Sequence, residues 1–546
     1  MIIDKSTYIE KIENIVANGN KFKKLKKDNT MKIKKSLNNI ITSINSTNNN
    51  LGFNKLIGNY KPGYIYANPK IHKNKMDPPY RPIISQIGTP TYEIAKNLNK
   101  LLNPYLDKKY MVESTYELLN ILRSKKVKCK MASIDVENLF TNVPVKETTE
   151  IIIDKVFNND SILPPKHLSE DNLRKLLLIC TTETSFKTPN NEIYQQIDGV
   201  SMGSPLGPLY ANFYMSMLEN KIIPNLKKPP ILYLRYVDDT LLLLDNFEQL
   251  YDMIDRFKQN SVLNFTSEIE KNEKINFLDV NIDKKEEKFI TSVFTKPTSS
   301  DDYINYMGCC PKQYKVGVIK TLLYRAYHIC GNYELLDNEF RKIKQKLVNN
   351  NFPIQLIDKT INNFLTNINK SEINKQKKDK VTLLYKNQMT SYYKEEEKHL
   401  KKIIAKYIKP KTTDNEVEVR IYYKTKKLKN LLIKNNLNET DTKDHVVYEF
   451  KCPENGCNAV SNYIGHTTNA LEERLKQHIR EGSIKQHMKT VHNKNLEIEK
   501  CLNNTVIIGK KRCRKELVIL ESILIKTKRP IINIQTENFH TILQIF

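Results

Sequence analysis

Two adjacent carboxylates, Asp238 and Asp239, lie inside an apolar run from Ile231 to Leu244. Such a run predicts two buried strands meeting at a tight turn, with the carboxylates at its tip. Adjacent like charges in a buried place are costly unless a cation neutralises them. Mg²⁺ suits the task, being commonly held by one or two carboxylates together with substrate phosphates. A third carboxylate, Asp135, ends the short apolar stretch that begins at Met131. Together, Asp135, Asp238 and Asp239 on neighbouring strands could hold two cations about 4 Å apart, for attack by a primer 3′-hydroxyl and departure of pyrophosphate. Between them, the segment from Asp198 to Pro208 contains Gly199, Gly203 and Gly207, and glycine lets backbone approach a ligand closely. A helix-like stretch, Leu209 to Leu218, follows. An isolated Asp-Asp pair is more often an ordinary acidic turn, so the surrounding segments carry the weight.

A second group of reactive residues lies near the C-terminus. Val446-Val447-Tyr448 and the stretch from Asn462 to Thr467 read as strands. The helix after them carries Leu471, Arg474, Leu475 and His478, which puts Arg474 and His478 on one face at i and i+4. Glu521 opens a further apolar stretch, and Asn533 lies twelve residues beyond it. Cys452 and Cys457 form a C-x4-C pair, and His487 and His492 an H-x4-H pair. Both spacings lie near structural zinc patterns, and Cys₂His₂ is a closed tetrahedral set. The 29 residues between Cys457 and His487 contain the Tyr463 strand and the Arg474 helix, so Zn²⁺ would clamp that core. The bland alternative is two reduced cysteines and two surface histidines.

Positioning these groups takes several domains. At 546 residues, two or three are expected. Residues 1–50 read as basic, helical and polar, with a charge run from Lys21 to Lys27 and a loop at Asn48 to Asn50. Residues 51–300 alternate short apolar runs with periodic segments, an α+β pattern. Residues 316–365 read as helical, with Val316, Val318, Ile319, Leu322 and Leu323 on one side. From Thr366 to Lys380 the periodicity is lost, as in a linker. A helix from Lys394 to Ile408 and a strand from Val417 to Tyr423 then lead to the C-terminal segment.

Composition narrows the partners. The 88 Lys and Arg against 61 Asp and Glu leave a net charge of +27, which favours polyanions because cationic side chains release counterions from phosphates. With 29 tyrosines and no tryptophan, any stacking platform for bases must be Tyr or Phe. Nine cysteines in no regular framework argue against a disulfide scaffold. No stretch reaches 18 apolar residues and no signal-peptide pattern opens the chain, so a soluble, intracellular protein without membrane contact is expected.

Asp135 with Phe140, the loop Met202-Gly203-Ser204-Pro205 and Tyr236-Val237-Asp238-Asp239 occur in reverse-transcriptase order. The wording resembles Penelope-like retroelements, through Asn68-Pro69-Lys70-Ile71-His72-Lys73, Tyr80-Arg81-Pro82-Ile83, Gly88-Thr89-Pro90-Thr91-Tyr92, Asn276-Phe277-Leu278-Asp279-Val280 and Phe294-Thr295-Lys296-Pro297-Thr298. The resemblance implies a right-hand polymerase: fingers and N-terminal part in 1–130, palm in 131–300, thumb in 301–365, then a linker in 366–440. It implies nucleotide contacts from Lys70, Arg81, Phe140, Gly203 and Ser204, with Phe140 excluding ribonucleotides at the sugar 2′ carbon. From about His445 to Thr536 the chain resembles the GIY-YIG endonucleases, a small α/β domain placed here in 441–546. That likeness implies phosphodiester hydrolysis with Mg²⁺ or Mn²⁺ on Glu521, Arg474 stabilising the phosphate charge, Tyr448 positioning water and Tyr463 supporting it. His478 would assist proton transfer, although its residue type fits packing equally well. Penelope-type nucleases also carry a Cys/His set, so Cys452, Cys457, His487 and His492 are implied zinc ligands.

The resulting expectation is an α+β multidomain retroelement enzyme that nicks DNA and extends the freed 3′ end on RNA. Its partners would be an RNA template, target and primer DNA and dNTPs, and its workplace the nucleus. Lys510-Lys511-Arg512-Cys513-Arg514-Lys515 fits DNA contact, a nuclear address or a solvated helix face. Residues Met1 to Tyr8 resemble the middle of a Penelope-type block, which implies a chain shortened at its N-terminus with incomplete fingers. Two other readings fit the same residues: an inactive nucleic-acid-binding copy, and an RNA-dependent RNA polymerase, against which Phe140 and the fused nuclease speak.

Overall fold

The structure, a computed structural model, describes residues 3–45, 51–71, 77–125, 128–159, 162–285, 288–368, 380–389, 392–407, 416–424, 445–454, 457, 462–511 and 514–533. Asn48 to Asn50, His72, Lys73, Arg512, Cys513 and much of the 366–440 linker lie outside them. The chain divides into two compact units, Met1–Lys55 with Pro62–Lys427 and Leu56–Lys61 with Leu428–Phe546.

The first unit is organised on a four-stranded antiparallel sheet, ordered Leu232–Tyr236, Asp239–Leu244, Lys130–Val136, Phe265–Ile269. The leucines Leu241 to Leu244 lie on an inner strand and are fully buried, which explains an apolar run without alternation. Leu241 and Leu243 pack with Leu118 and Leu122 of the Thr115–Arg123 helix and with Ile275 and Ile282 of a three-stranded sheet. That sheet runs Lys274–Phe277, Val280–Lys285, Lys288–Val293.

A five-stranded sheet is ordered Phe22–Lys24, Ile193–Gln196, Ser185–Lys187, Gly63–Pro69, Tyr80–Ser85. Ile65, Ala67 and Ile84 close one face against Ile12 and Val16 of the Lys5–Val16 helix. Strict alternation leaves Tyr64, Tyr66 and Asn68 outward on the Gly63–Pro69 strand, with Arg81 opposite Asn68.

Three helices, Lys312–Ile329, Tyr333–Asn349 and Ile354–Ile368, share a core of Ile319, Leu323, Ala326, Ile343, Leu347 and Ile357. Ile319 and Leu323 are the buried centre of the expected apolar side; Val318 and Leu322 pack at its margin. Asp279 ties this bundle to the three-stranded sheet, accepting from Thr115 Oγ1 (2.6 Å) and Arg325 Nε (2.8 Å). Beyond it, Lys380–Gln388 and Glu416–Lys424 pair in parallel around the Tyr393–Tyr407 helix. The first of these strands was not expected.

The second unit holds an antiparallel sheet ordered Asn462–Thr467, Val446–Lys451, Thr505–Lys510. Tyr448, Phe450, Leu471, Leu475, Ile484 and Met488 form its core. No described helix is long and apolar enough to cross a membrane.

Candidate active sites and metal centre

Asp135 and Asp239 are direct partners on adjacent antiparallel strands, and Asp238 precedes Asp239 in the two-residue turn between paired Tyr236 and Asp239. The Val136 N–H donates to the Asp238 carbonyl (3.1 Å), which fastens the turn to the Asp135 strand. The strands are buried as expected, but the carboxylates are not: Asp135 and Asp239 are exposed and Asp238 half-buried. The polar ends of the strands emerge on an open face, where water solvates the charges. Asp239 keeps that exposed edge, yet its carboxyl is pushed up to about 6, first by partial loss of water and then by Asp238 and Asp135. Oxygen donors, clustered negative charge and a carboxyl reluctant to ionise alone fit a hard divalent cation.

Phe140 sits on the short helix Leu139–Asn142, and its carbonyl accepts from Val200 N–H (2.7 Å). Its ring lies beside Gly207, where a Cβ would stand 3.5 Å from the ring edge. Gly203 does permit a close approach, but to the chain itself: a Cβ there would stand 2.0 Å from the Ile84 carbonyl oxygen. Ser201 Oγ donates to the same oxygen (3.0 Å), so this loop docks on the Tyr80–Ser85 strand. The Ser204 hydroxyl is buried and accepts from Leu206 N–H (3.3 Å). Gly203 thus packs on the Tyr80–Ser85 strand with its N–H on Ser201 Oγ (3.2 Å), and the Ser204 hydroxyl is engaged within its own loop. Arg81 is exposed on the Gly63–Pro69/Tyr80–Ser85 hairpin, and Lys70 is half-buried at its end, its N–H donating to Pro79 O (2.8 Å).

Sequence reasoning passed over Arg235. This charged residue inside the apolar run is fully buried. Its guanidinium forks onto Glu219 through Nε–Oε1 (2.5 Å) and Nη2–Oε2 (3.1 Å). Nη1 donates to Asn212 Oδ1 (2.9 Å) and to the Val237 carbonyl (3.1 Å). The signal was present, since a charge among strand apolar residues needs a buried partner. The partner itself, on the Gly207–Ile222 helix, was not legible.

In the second unit, Tyr448 is opposite Gly465 and Phe450 opposite Tyr463. The Tyr448 hydroxyl lies 2.8 Å from His478 Nε2, and the Tyr463 ring meets the His478 ring edge-on at 5.0 Å. Burial, then the nearby Arg474 charge, lowers His478 to about 4, so its imidazole is neutral at pH 7. Burial pushes the Tyr448 phenol far above its ordinary range, so it stays protonated. Arg474 lies one turn before His478; its Nε is buried beside Tyr448 and Tyr463, and its Nη1 donates to Gln477 Oε1 (2.5 Å). Glu521 lies in the middle of the Arg514–Lys528 helix rather than opening a new stretch, and accepts from His466 Nδ1 (2.6 Å). Asn533 clamps both backbone groups of Ile464, donating to its carbonyl (2.8 Å) and accepting from its N–H (2.9 Å). His466 was missed because its partner lies 55 residues away.

Cys452, Cys457, His487 and His492 bring one ligand atom each within 4.8 Å of one another. The Cys457 Sγ–His492 Nε2, Cys457 Sγ–His487 Nε2 and Cys452 Sγ–His492 Nε2 distances are 3.0, 3.4 and 3.4 Å. A tetrahedral zinc with its ordinary bond lengths sets such S···N edges at about 3.5 Å. Both histidines lie on the Ser483–His492 helix and Cys452 directly follows the Tyr448 strand, so the set joins sheet to helix.

Residues 71–308 match the reverse transcriptase (RNA-dependent DNA polymerase) family model, 302–362 the animal helix-turn-helix domain and 444–538 the GIY-YIG catalytic domain. Among solved structures, the chain is similar to telomerase from Candida albicans in complex with a telomeric RNA fragment (13% identity, TM-score 0.43), covering 68% of this chain and 65% of that one. Apo telomerase from Candida tropicalis gives 13%, 0.38, 68% and 65%. The Sicinivirus RNA-dependent RNA polymerase gives 10%, 0.39, 60% and 71%. The chain thus spans 65% of the length of those telomerase chains. No curated protein matches it. The chain carries a reverse transcriptase domain followed by a GIY-YIG domain, both from enzymatic families.

Proposed function

We propose that this chain is a Penelope-like retroelement reverse transcriptase and endonuclease that nicks DNA and extends the released 3′ end on an RNA template. The observation that carries the proposal is the opposition of Asp135 and Asp239 across one strand pair, with Asp238 on the same turn. When bound, divalent cations supply Lewis acidity at both sites, on Asp135, Asp238 and Asp239 for nucleotidyl transfer and on Glu521 for hydrolysis. Arg81 and Lys70 on the fingers hairpin meet the triphosphate, and the Phe140 ring, backed by Gly207, meets the sugar. The three-helix bundle acts as the thumb. The excess of cationic residues retains RNA and DNA through their phosphates. In the nuclease, Arg474 takes the scissile phosphate through the outer edge of its guanidinium, and the Tyr448 hydroxyl, held by neutral His478, orients the water. Cys452, Cys457, His487 and His492 hold Zn²⁺ as a structural clamp. The protein works in the nucleus, where its target DNA lies.

Primer extension on poly(rA) by the purified protein is the direct test. Mg²⁺-dependent dTMP incorporation is expected from wild type and none from Asp238→Ala; equal incorporation by both would refute the carboxylate assignment. Phe140→Ala should lower the preference for dNTPs over rNTPs, whereas an unchanged ratio would remove Phe140 from the sugar contact.

A further inference from the structure

We propose that Arg235 is a positioning residue of the polymerase centre, holding the Val237 carbonyl and thereby fixing the directions of Asp238 and Asp239; this rests on the polymerase reading above. Val237 has φ +59°, a left-handed conformation that a β-branched side chain adopts only at a cost of about 1–3 kcal/mol. Such a turn must be held from outside. Two consecutive carbonyls of it are gripped: Val237 O by Arg235 Nη1 (3.1 Å) and Asp238 O by Val136 N–H (3.1 Å). The grips come from two different elements, the Gly207–Ile222 helix, which holds Arg235 through Glu219 and Asn212, and the Asp135 strand. The Arg235 backbone is also fixed, its N–H donating to Tyr110 O (2.8 Å) and its carbonyl accepting from Val112 N–H (2.9 Å). Tyr233 OH completes the network on Glu219 (2.9 Å).

Stability does not require this arrangement, because a buried ion pair is commonly replaceable by apolar residues at little cost or with a gain. Pairing with Glu219 also cancels the guanidinium charge locally. What remains specific to arginine is the planar fork, which satisfies Glu219, Asn212 and Val237 O at once. Lysine reaches Glu219 but cannot span all three.

Two variants test this in the full chain, by thermal melting and steady-state primer extension. Arg235→Lys should fold, with kcat reduced about 10²-fold, as for a reacting group displaced by about 1 Å. The Mg²⁺ concentration for half-maximal rate should rise several-fold, while the dNTP KM stays within about twofold. Arg235→Met with Glu219→Met and Tyr233→Phe removes both charges and the hydroxyl they hold; it should melt near wild type and show the same loss of kcat, which a merely structural role would not produce. Wild-type kcat and Mg²⁺ dependence in either variant would overturn the inference. Failure of the polymerase reading itself would show separately, as a wild-type protein that extends no primer.

Discussion

At the scale of single residues, Asp239 of the centre sits where its surroundings oppose its charge. Its folded-state carboxyl lies at about 6, above the ordinary 3.8, so the folded protein holds that proton more tightly than the unfolded chain. Below about pH 4 both states are protonated and the site costs nothing; the penalty grows as pH rises and is complete above about 6. Asp239→Asn should therefore raise the melting temperature at pH 7.5 in Mg²⁺-free buffer by a few degrees, on the order expected when active-site strain is relieved. The gain should fade as pH drops from 6 towards 4; an equal gain at both ends, or a loss at pH 7.5, would contradict the clustering of these carboxylates. The Asp-Asp pair at a turn between two buried strands was legible because carboxylates inside an apolar run stand out. Their exposure was not, since the run shows what the strands bury and not where their ends emerge.

At the scale of elements, close packing explains residues that motifs only mark. Gly465 faces Tyr448 in the strand pair, and a Cβ there would stand 2.7 Å from the Tyr448 hydroxyl and 2.7 Å from the Tyr463 ring. Tyr448 is fully buried and has no room to yield. Gly465→Ala should cost about 1–3 kcal/mol and slow plasmid nicking on the order of tenfold, read from melting and nicking rates of one preparation; wild-type rates would show that the ring geometry is not critical. The Cys/His set makes a second claim. Cys452→Ser in the full chain should lose one equivalent of zinc and lower the melting of the second unit, because site formation contributes folding energy. A folded wild-type chain with no bound zinc would refute it. The strands, the Arg474 helix and the apolar side of the Lys312–Ile329 helix were readable from local periodicity. The Lys380–Gln388 strand was not, since its partner begins 36 residues later, at Glu416. Gly203 and Arg235 illustrate the same limit: their types were conspicuous, but Ile84 and Glu219 could be found only in three dimensions.

At the scale of the whole molecule, the central claim is one chain with two independent hydrolytic and polymerising centres. Asp135, Asp238 and Asp239 belong to the first compact unit, and Tyr448, Arg474, His478 and Glu521 to the second. Separate carboxylates in separate cores should fail separately. The most direct measurement uses wild type, Asp238→Ala and Glu521→Ala, each assayed with Mg²⁺ for nicking of supercoiled plasmid and for extension of a supplied primer on RNA. Asp238→Ala should nick at the wild-type rate and extend nothing, while Glu521→Ala should extend at the wild-type rate and nick nothing. A Glu521→Ala protein that still nicks, or one that loses extension along with nicking, would contradict the account.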